Sequence, residues 1–100
     1  MDSIFVYGSL RDTPTRSAIL GRKIKTTKGV LNDYKLTNHS YFKVYPTIKK
    51  EVGGMVTGEI FEVTDEDLIK LDHYETNNYR RIKVKLASGD NVITYIEQNH

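Results

Sequence analysis

The chain opens on an apolar run, Ile4, Phe5, Val6 and Tyr7, that breaks abruptly on Gly8 and Ser9. β-Branched and aromatic residues of this kind suit a buried strand. Gly8 permits a positive φ that a residue carrying Cβ resists, so a sharp turn is expected there. Such a turn can leave successive N–H groups unpaired and pointing the same way, and a concavity of this kind binds anions. An ordinary glycine turn is the competing reading. In either case the chain must build around a strand at its beginning that ends in a tight bend.

The rest of the sequence supplies a single domain, residues 1–100. At 100 residues there is enough chain for one core, and 38% apolar against 28% charged residues keeps that core compact. "TPTRSAILG" carries helix punctuation, with Thr13 as N-cap, Pro14 at the first helical position and Gly21 just past the end. Strand candidates follow around Ile24–Asn32 and Tyr34–Asn38. The basic stretch Gly21–Lys28 reads as the exposed side of a strand. Pro46 in "YFKVYPTI" disfavours a central strand and suggests an edge or an ordered loop.

"VTGEIFEV" alternates, with Val56, Gly58, Ile60 and Glu62 on one face and Thr57, Glu59, Phe61 and Val63 on the other. Both faces are mixed, as in a barrel strand whose surroundings change along its length, and Glu59 and Glu62 read as solvated. "TDEDLIKLDHYE" is the clearest helix, capped by Thr64 with Asp65, Glu66 and Asp67 in its first turn. "YRRIKVKLA", "SGDN" and "VITYIEQ" then read as a hairpin. Strand, helix, several strands, helix and hairpin give an α+β domain with a mixed, mainly antiparallel, barrel-like sheet flanked by short helices.

Several functional classes are disfavoured. The chain has no cysteine, which removes disulfides, thiolate catalysis and Cys-based zinc sites and suits a cytoplasmic protein. His39, His73 and His100 stand too far apart for the close spacings that metal sites use, so no metal is expected. The start does not read as a secretory signal, and no stretch approaches the length of a bilayer span. A net charge of +2 is too mild to imply nucleic acid. Tyr41 and Tyr45 near Lys43, Lys49 and Lys50 give only a hint of a basic, aromatic face.

One residue is out of place. Leu68, Leu71 and Glu75 share a helix face, so a carboxylate continues the buried stripe. Glutamate is rarely buried without a partner, and at a helix C-terminus the dipole also disfavours its charge. Burial and dipole both raise its pKa, which is what a general base working near neutral pH requires. Two structural readings compete: Glu75 pairs with Arg80 or Arg81, or the helix stops at His73 and leaves Glu75 in solvent. Asp72 reads as an exposed helix residue or a pairing partner.

Taken together, "VYGSLR", "YPTI", "GEIFEV" and "LDHYETNNYRR" resemble the gamma-glutamylcyclotransferase-like superfamily. The likeness is to its short branch, which includes gamma-glutamylamine cyclotransferases and many small bacterial and viral proteins, and it runs from about Ile4 to Glu97. The resemblance implies a small β-barrel flanked by helices. It makes Tyr7, Gly8, Ser9 and Leu10 the substrate-binding loop, Glu75 the catalytic acid/base and Tyr79 a pocket residue, and it leaves Arg81 between a structural and a catalytic role. It implies cyclisation of a gamma-glutamyl amine or amide to 5-oxoproline with release of an amine, and no cofactor. The partner is then a small molecule carrying a gamma-glutamyl-like group, without nucleic acid or membrane. A non-catalytic domain of the same fold, binding a small molecule or a protein, is the alternative. The chain departs from relatives in having Leu10 where the better-known enzymes have Asn, and Thr76 where many have Gly.

Overall fold

The computed structural model describes residues 2–40 and 45–98, so Tyr41, Lys43 and His100 lie outside the described residues. Five strands form one sheet: β1 (Asp2–Val6), β2 (Thr27–Asn38), β3 (Pro46–Val63), β4 (Tyr79–Lys85) and β5 (Asn91–Glu97). Two helices, α1 (Thr13–Leu20) and α2 (Asp65–Glu75), follow β1 and β3. The strands lie in the order β2-β3-β1-β5-β4. All neighbours are antiparallel except β1 and β5, which run parallel at Ile4 and Ile93.

The sheet curls until its ends meet. The Ala87 amide, just beyond β4, donates to the Val30 carbonyl of β2 at 2.8 Å. At the far end the Glu97 amide of β5 donates to the Thr47 hydroxyl of β3 at 2.9 Å. The result is an α+β half-barrel with a core on each side of the sheet. Phe5, Leu31, Ile48, Val56, Val84 and Val92 fill the inside of the curl. Ile4, Val6, Phe61 and Val63 face outward onto Leu10, Leu20, Leu68 and Leu71. Alternation along β1 therefore sends Phe5 inward and Ile4 and Val6 to the helices. Gly58 is required where the curl is tightest, because a Cβ there would lie 2.3 Å from the Val6 carbonyl oxygen and 2.8 Å from the Phe5 ring.

The helix ends follow local chemistry. In α1 the cap is Asp12 rather than Thr13, because the Asp12 carboxylate reaches three residues along to the Thr15 amide (3.1 Å) and hydroxyl (2.7 Å). Gly21 ends the helix in the left-handed conformation, at φ 74°. In α2, Thr64 and Asp67 cap each other reciprocally.

Other expectations are corrected by contacts distant in sequence. Residues 21–26 form a connection, not a strand face, and Arg22 leaves it to grip Asp67 with two bonds of 2.7 and 2.6 Å. Strand β2 is continuous from Thr27, its register shifting at Asp33, where φ is 66°. Pro46 starts β3, which lies inside the sheet order, so neither an edge strand nor a loop holds it. The first strand position tolerates a residue without an N–H. Glu59 is not fully solvated: it accepts from the Thr26 hydroxyl at 2.7 Å and meets Arg11 Nε at 3.8 Å.

Candidate active site

The turn after β1 is shaped by a neighbour rather than by a positive φ. Gly8 has φ −116°, which corrects the sequence expectation. A Cβ at Gly8 would lie 3.0 Å from Pro46 Cγ, so any larger residue would have to push the Pro46 ring aside, and glycine lets the turn approach β3 closely. One 3₁₀ turn, Ser9–Arg11, follows, with the Arg11 amide bonded to the Gly8 carbonyl and the Asp12 amide to that of Ser9. The amides of Gly8, Ser9 and Leu10 have no hydrogen-bond partner among the described residues. The Leu10 side chain is buried in the helix-facing core and anchors the turn from below.

Helix α2 delivers Glu75 as its last residue. Leu68 and Leu71 are buried, and Glu75, further along the same face, is half-buried. The helix does not stop at His73, and Arg81 pairs with Asp72 instead of Glu75, Nε to Oδ1 at 3.1 Å. Among the described residues no hydrogen bond or ion pair engages the Glu75 carboxylate. Burial lifts its pKa from 4.5 to about 7.

Three phenols surround this carboxyl group. Burial raises the Tyr7, Tyr79 and Tyr95 hydroxyls above their ordinary range, Tyr79 to about 12, and the Glu75 charge adds to each. For Tyr95, its hydrogen bond to Asp72 at 2.6 Å contributes before Glu75 does. Each hydroxyl has a partner: Tyr7 donates to the Tyr95 carbonyl and Tyr79 to the Pro46 carbonyl at 2.6 Å. The phenols are therefore protonated walls that orient around the carboxyl group.

Tyr7, Gly8, Ser9, Leu10, Glu75 and Tyr79 all border one hollow of about 40 Å³, joined by Phe5, Pro46 and Tyr95. That space holds only a few water molecules. It shares Ser9, Pro46, Glu75 and Tyr79 with an outer concavity of about 380 Å³, whose other walls are Tyr45, Tyr74, Thr76 and Asn78. A narrow inner recess under a wider mouth can take the small end of a longer molecule. At the mouth the Ser9 and Tyr74 hydroxyls are 2.6 Å apart, linking the turn to α2.

Sequence reasoning missed Tyr95, Pro46 and Tyr74 as site residues. Tyr95 lies on a strand whose register alone brings it over Asp72, and nothing in its own neighbourhood points there. "YPTI" carried Pro46 into the resemblance, without a role. Among the described residues no group of three or more His, Asp and Glu side chains is placed to hold a metal ion, and no helix is long and apolar enough to cross a membrane.

A curled five-stranded sheet with two helices on its outer face is the gamma-glutamyl cyclotransferase fold. A solved gamma-glutamyl cyclotransferase superposes with a TM-score of 0.83 over 98% of this chain and 67% of its own length, at 22% identity. An Arabidopsis thaliana protein known from a solution structure superposes at 0.82 with 29% identity, covering 96% of this chain and 61% of that one. Residues 4–100 match the family described as "Gamma-glutamyl cyclotransferase, AIG2-like", and the chain belongs to that family. It is 33% identical to Protein AIG2 C of Arabidopsis thaliana over 97% of this chain and 62% of that protein. The AIG2-like protein D of the same plant is also 33% identical, over 90% of this chain and 59% of its own length. The chain thus spans about three fifths of the length of these relatives.

Proposed function

We propose that this protein cyclises gamma-glutamyl amines or amides, releasing 5-oxoproline and a free amine, with Glu75 as general acid/base. The observation that carries the reading is a carboxyl group with a pKa of about 7 bordering the same hollow as Gly8, Ser9 and Leu10, whose amides have no hydrogen-bond partner among the described residues. Family membership supports the reaction class.

The reaction needs little beyond placement and proton transfer. The substrate's α-amine nitrogen attacks its own γ-carbonyl carbon, forming the C–N bond of a five-membered lactam. The bond from that carbon to the leaving nitrogen then breaks. Both reactants belong to one molecule, so fixing the folded conformer removes much of the barrier. The amides of Gly8, Ser9 and Leu10 hold the α-carboxylate and orient the amine. Ionised Glu75 takes a proton from the α-ammonium group and, once protonated, returns it to the departing amine. Near pH 7 the group is divided between these two forms, which serves both steps.

A panel of gamma-glutamyl amines, amides and dipeptides, assayed for 5-oxoproline release, tests the reading. Release by the wild type and a loss of ~10²–10⁴-fold in folded Glu75→Gln are expected. No release across the panel, with ligand binding intact, would instead make the domain a binding module.

A further inference from the structure

Arg16 of α1 is 3% exposed, yet it has no carboxylate partner within ion-pair distance among the described residues. Its Nη1 donates to the carbonyls of Leu10 (2.8 Å) and Arg11 (3.2 Å), and its Nη2 to the Thr13 hydroxyl (3.3 Å). Its Nε is buried with no hydrogen-bond partner. The guanidinium carbon lies 5.6 Å from the centroid of the Phe61 ring. Asp12 feels the Arg16 charge, but its own carboxylate stands in solvent and caps α1 through Thr15. Every direct partner of the guanidinium is therefore neutral.

Holding a buried cation on neutral partners alone is costly, and the fold places it against the carbonyls that follow Gly8, Ser9 and Leu10, three residues bordering the hollow. We propose that Arg16 is a positioning residue for the Gly8–Leu10 turn and that its unneutralised charge favours a carboxylate bound on that turn's amides. The proposal rests on the reading of the hollow as the gamma-glutamyl site. Two bonds to consecutive carbonyls fix the peptide planes immediately after Leu10. The guanidinium sits on the carbonyl side of the turn and is not itself among the residues that border the hollow, so its charge acts on a bound anion through the turn and not by contact. A bound carboxylate completes the neutralisation that the protein itself omits.

Two lactams separate charge from shape: 5-oxoproline, which carries the carboxylate, and 2-pyrrolidinone, which lacks it. Calorimetry should show folded Arg16→Met losing affinity for 5-oxoproline by about tenfold or more, with 2-pyrrolidinone unchanged. Arg16→Lys, which keeps the charge but loses the fork, should recover part of that loss. In turnover, Arg16→Met should raise KM more than it lowers kcat. A measurement on the wild type covers the case in which Arg16→Met does not fold: the Arg16 Nε–H resonance should shift on adding 5-oxoproline and stay fixed with 2-pyrrolidinone. An unmoved resonance while the Ser9 and Leu10 amides shift overturns the proposal, as does undiminished 5-oxoproline binding by folded Arg16→Met. Wild type that turns over gamma-glutamyl substrates without dependence on Arg16 overturns this inference alone. Wild type that neither turns them over nor binds 5-oxoproline overturns the assigned function with it.

Discussion

Arg81 pairs with Asp72, one helical turn before Glu75, while Glu75 borders the hollow with no ion pair among the described residues. The Tyr95 hydroxyl, bonded to the same Asp72 oxygen, holds the pairing in place. Arg81 is thereby tied to Asp72 by a shared contact with Tyr95, and burial alone sets the Glu75 pKa.

Under the proposed reaction, wild-type activity should rise with pH through about 7, because that scheme requires ionised Glu75 to accept the ammonium proton. Asp72→Asn frees Arg81 to turn toward Glu75, and an opposite charge there favours the ionised form. The acid limb of the pH–rate profile should move down by about one unit. A limb that stays in place in the variant would show that Arg81 cannot reach the site.

Stability should carry the signature of the same carboxyl group. Its folded pKa of about 7 lies above the ordinary 4.5, so the folded state holds the proton over a range where the unfolded state has lost it. Stability therefore falls as pH rises through that range and levels off above it. The charge costs at most about 3 kcal/mol at pH 8 and nothing at pH 4. Glu75→Gln should accordingly be more stable than wild type at pH 8, with the gap closing in acid, even as activity disappears. Thermal unfolding at the two pH values measures this, and parallel profiles for the two proteins contradict it.

At the mouth, Tyr74→Phe removes one exposed hydroxyl from the pair that joins the turn to α2. A hydrogen bond in that setting contributes about 0.5 kcal/mol net, so the unfolding midpoint should barely change. Ser9 borders both the recess and the outer concavity, and losing its tether should raise KM several-fold. An unchanged KM assigns the bond to the surface alone.

What the sequence reveals of this architecture is what neighbours in the chain decide. The apolar run ending on Gly8, the capped second helix and the glutamate continuing its leucine stripe are periodic or positional signals, and each stands where it was read. The reasons behind them are long-range. Gly8 lies close against Pro46, far along the chain, and Arg81 on a later strand pairs with Asp72 and not with Glu75. Arg16 on a short helix carries no pattern that marks it as buried, since its stem is apolar and its environment comes from β3 and the turn. Arg22 likewise left no local sign that it would leave the basic stretch to clamp Asp67.

Thr76, directly after Glu75, holds a backbone conformation that its residue type resists. Its φ of 61° and ψ of −163° lie in a region that is essentially confined to glycine, and a β-branched side chain makes the strain worse. Such a conformation costs on the order of 1–3 kcal/mol. It persists because the Thr76 amide closes α2 on the Asp72 carbonyl and its hydroxyl takes the Asn78 amide at 3.3 Å. Thr76→Gly should relieve the strain and, after the added flexibility of the unfolded chain, stabilise the fold by about 1 kcal/mol. Thr76→Ala keeps Cβ, loses the hydroxyl bond and should gain nothing. If alanine stabilised as much as glycine in thermal or urea unfolding, the excess would lie in the threonine side chain and not in the backbone beside the carboxyl group.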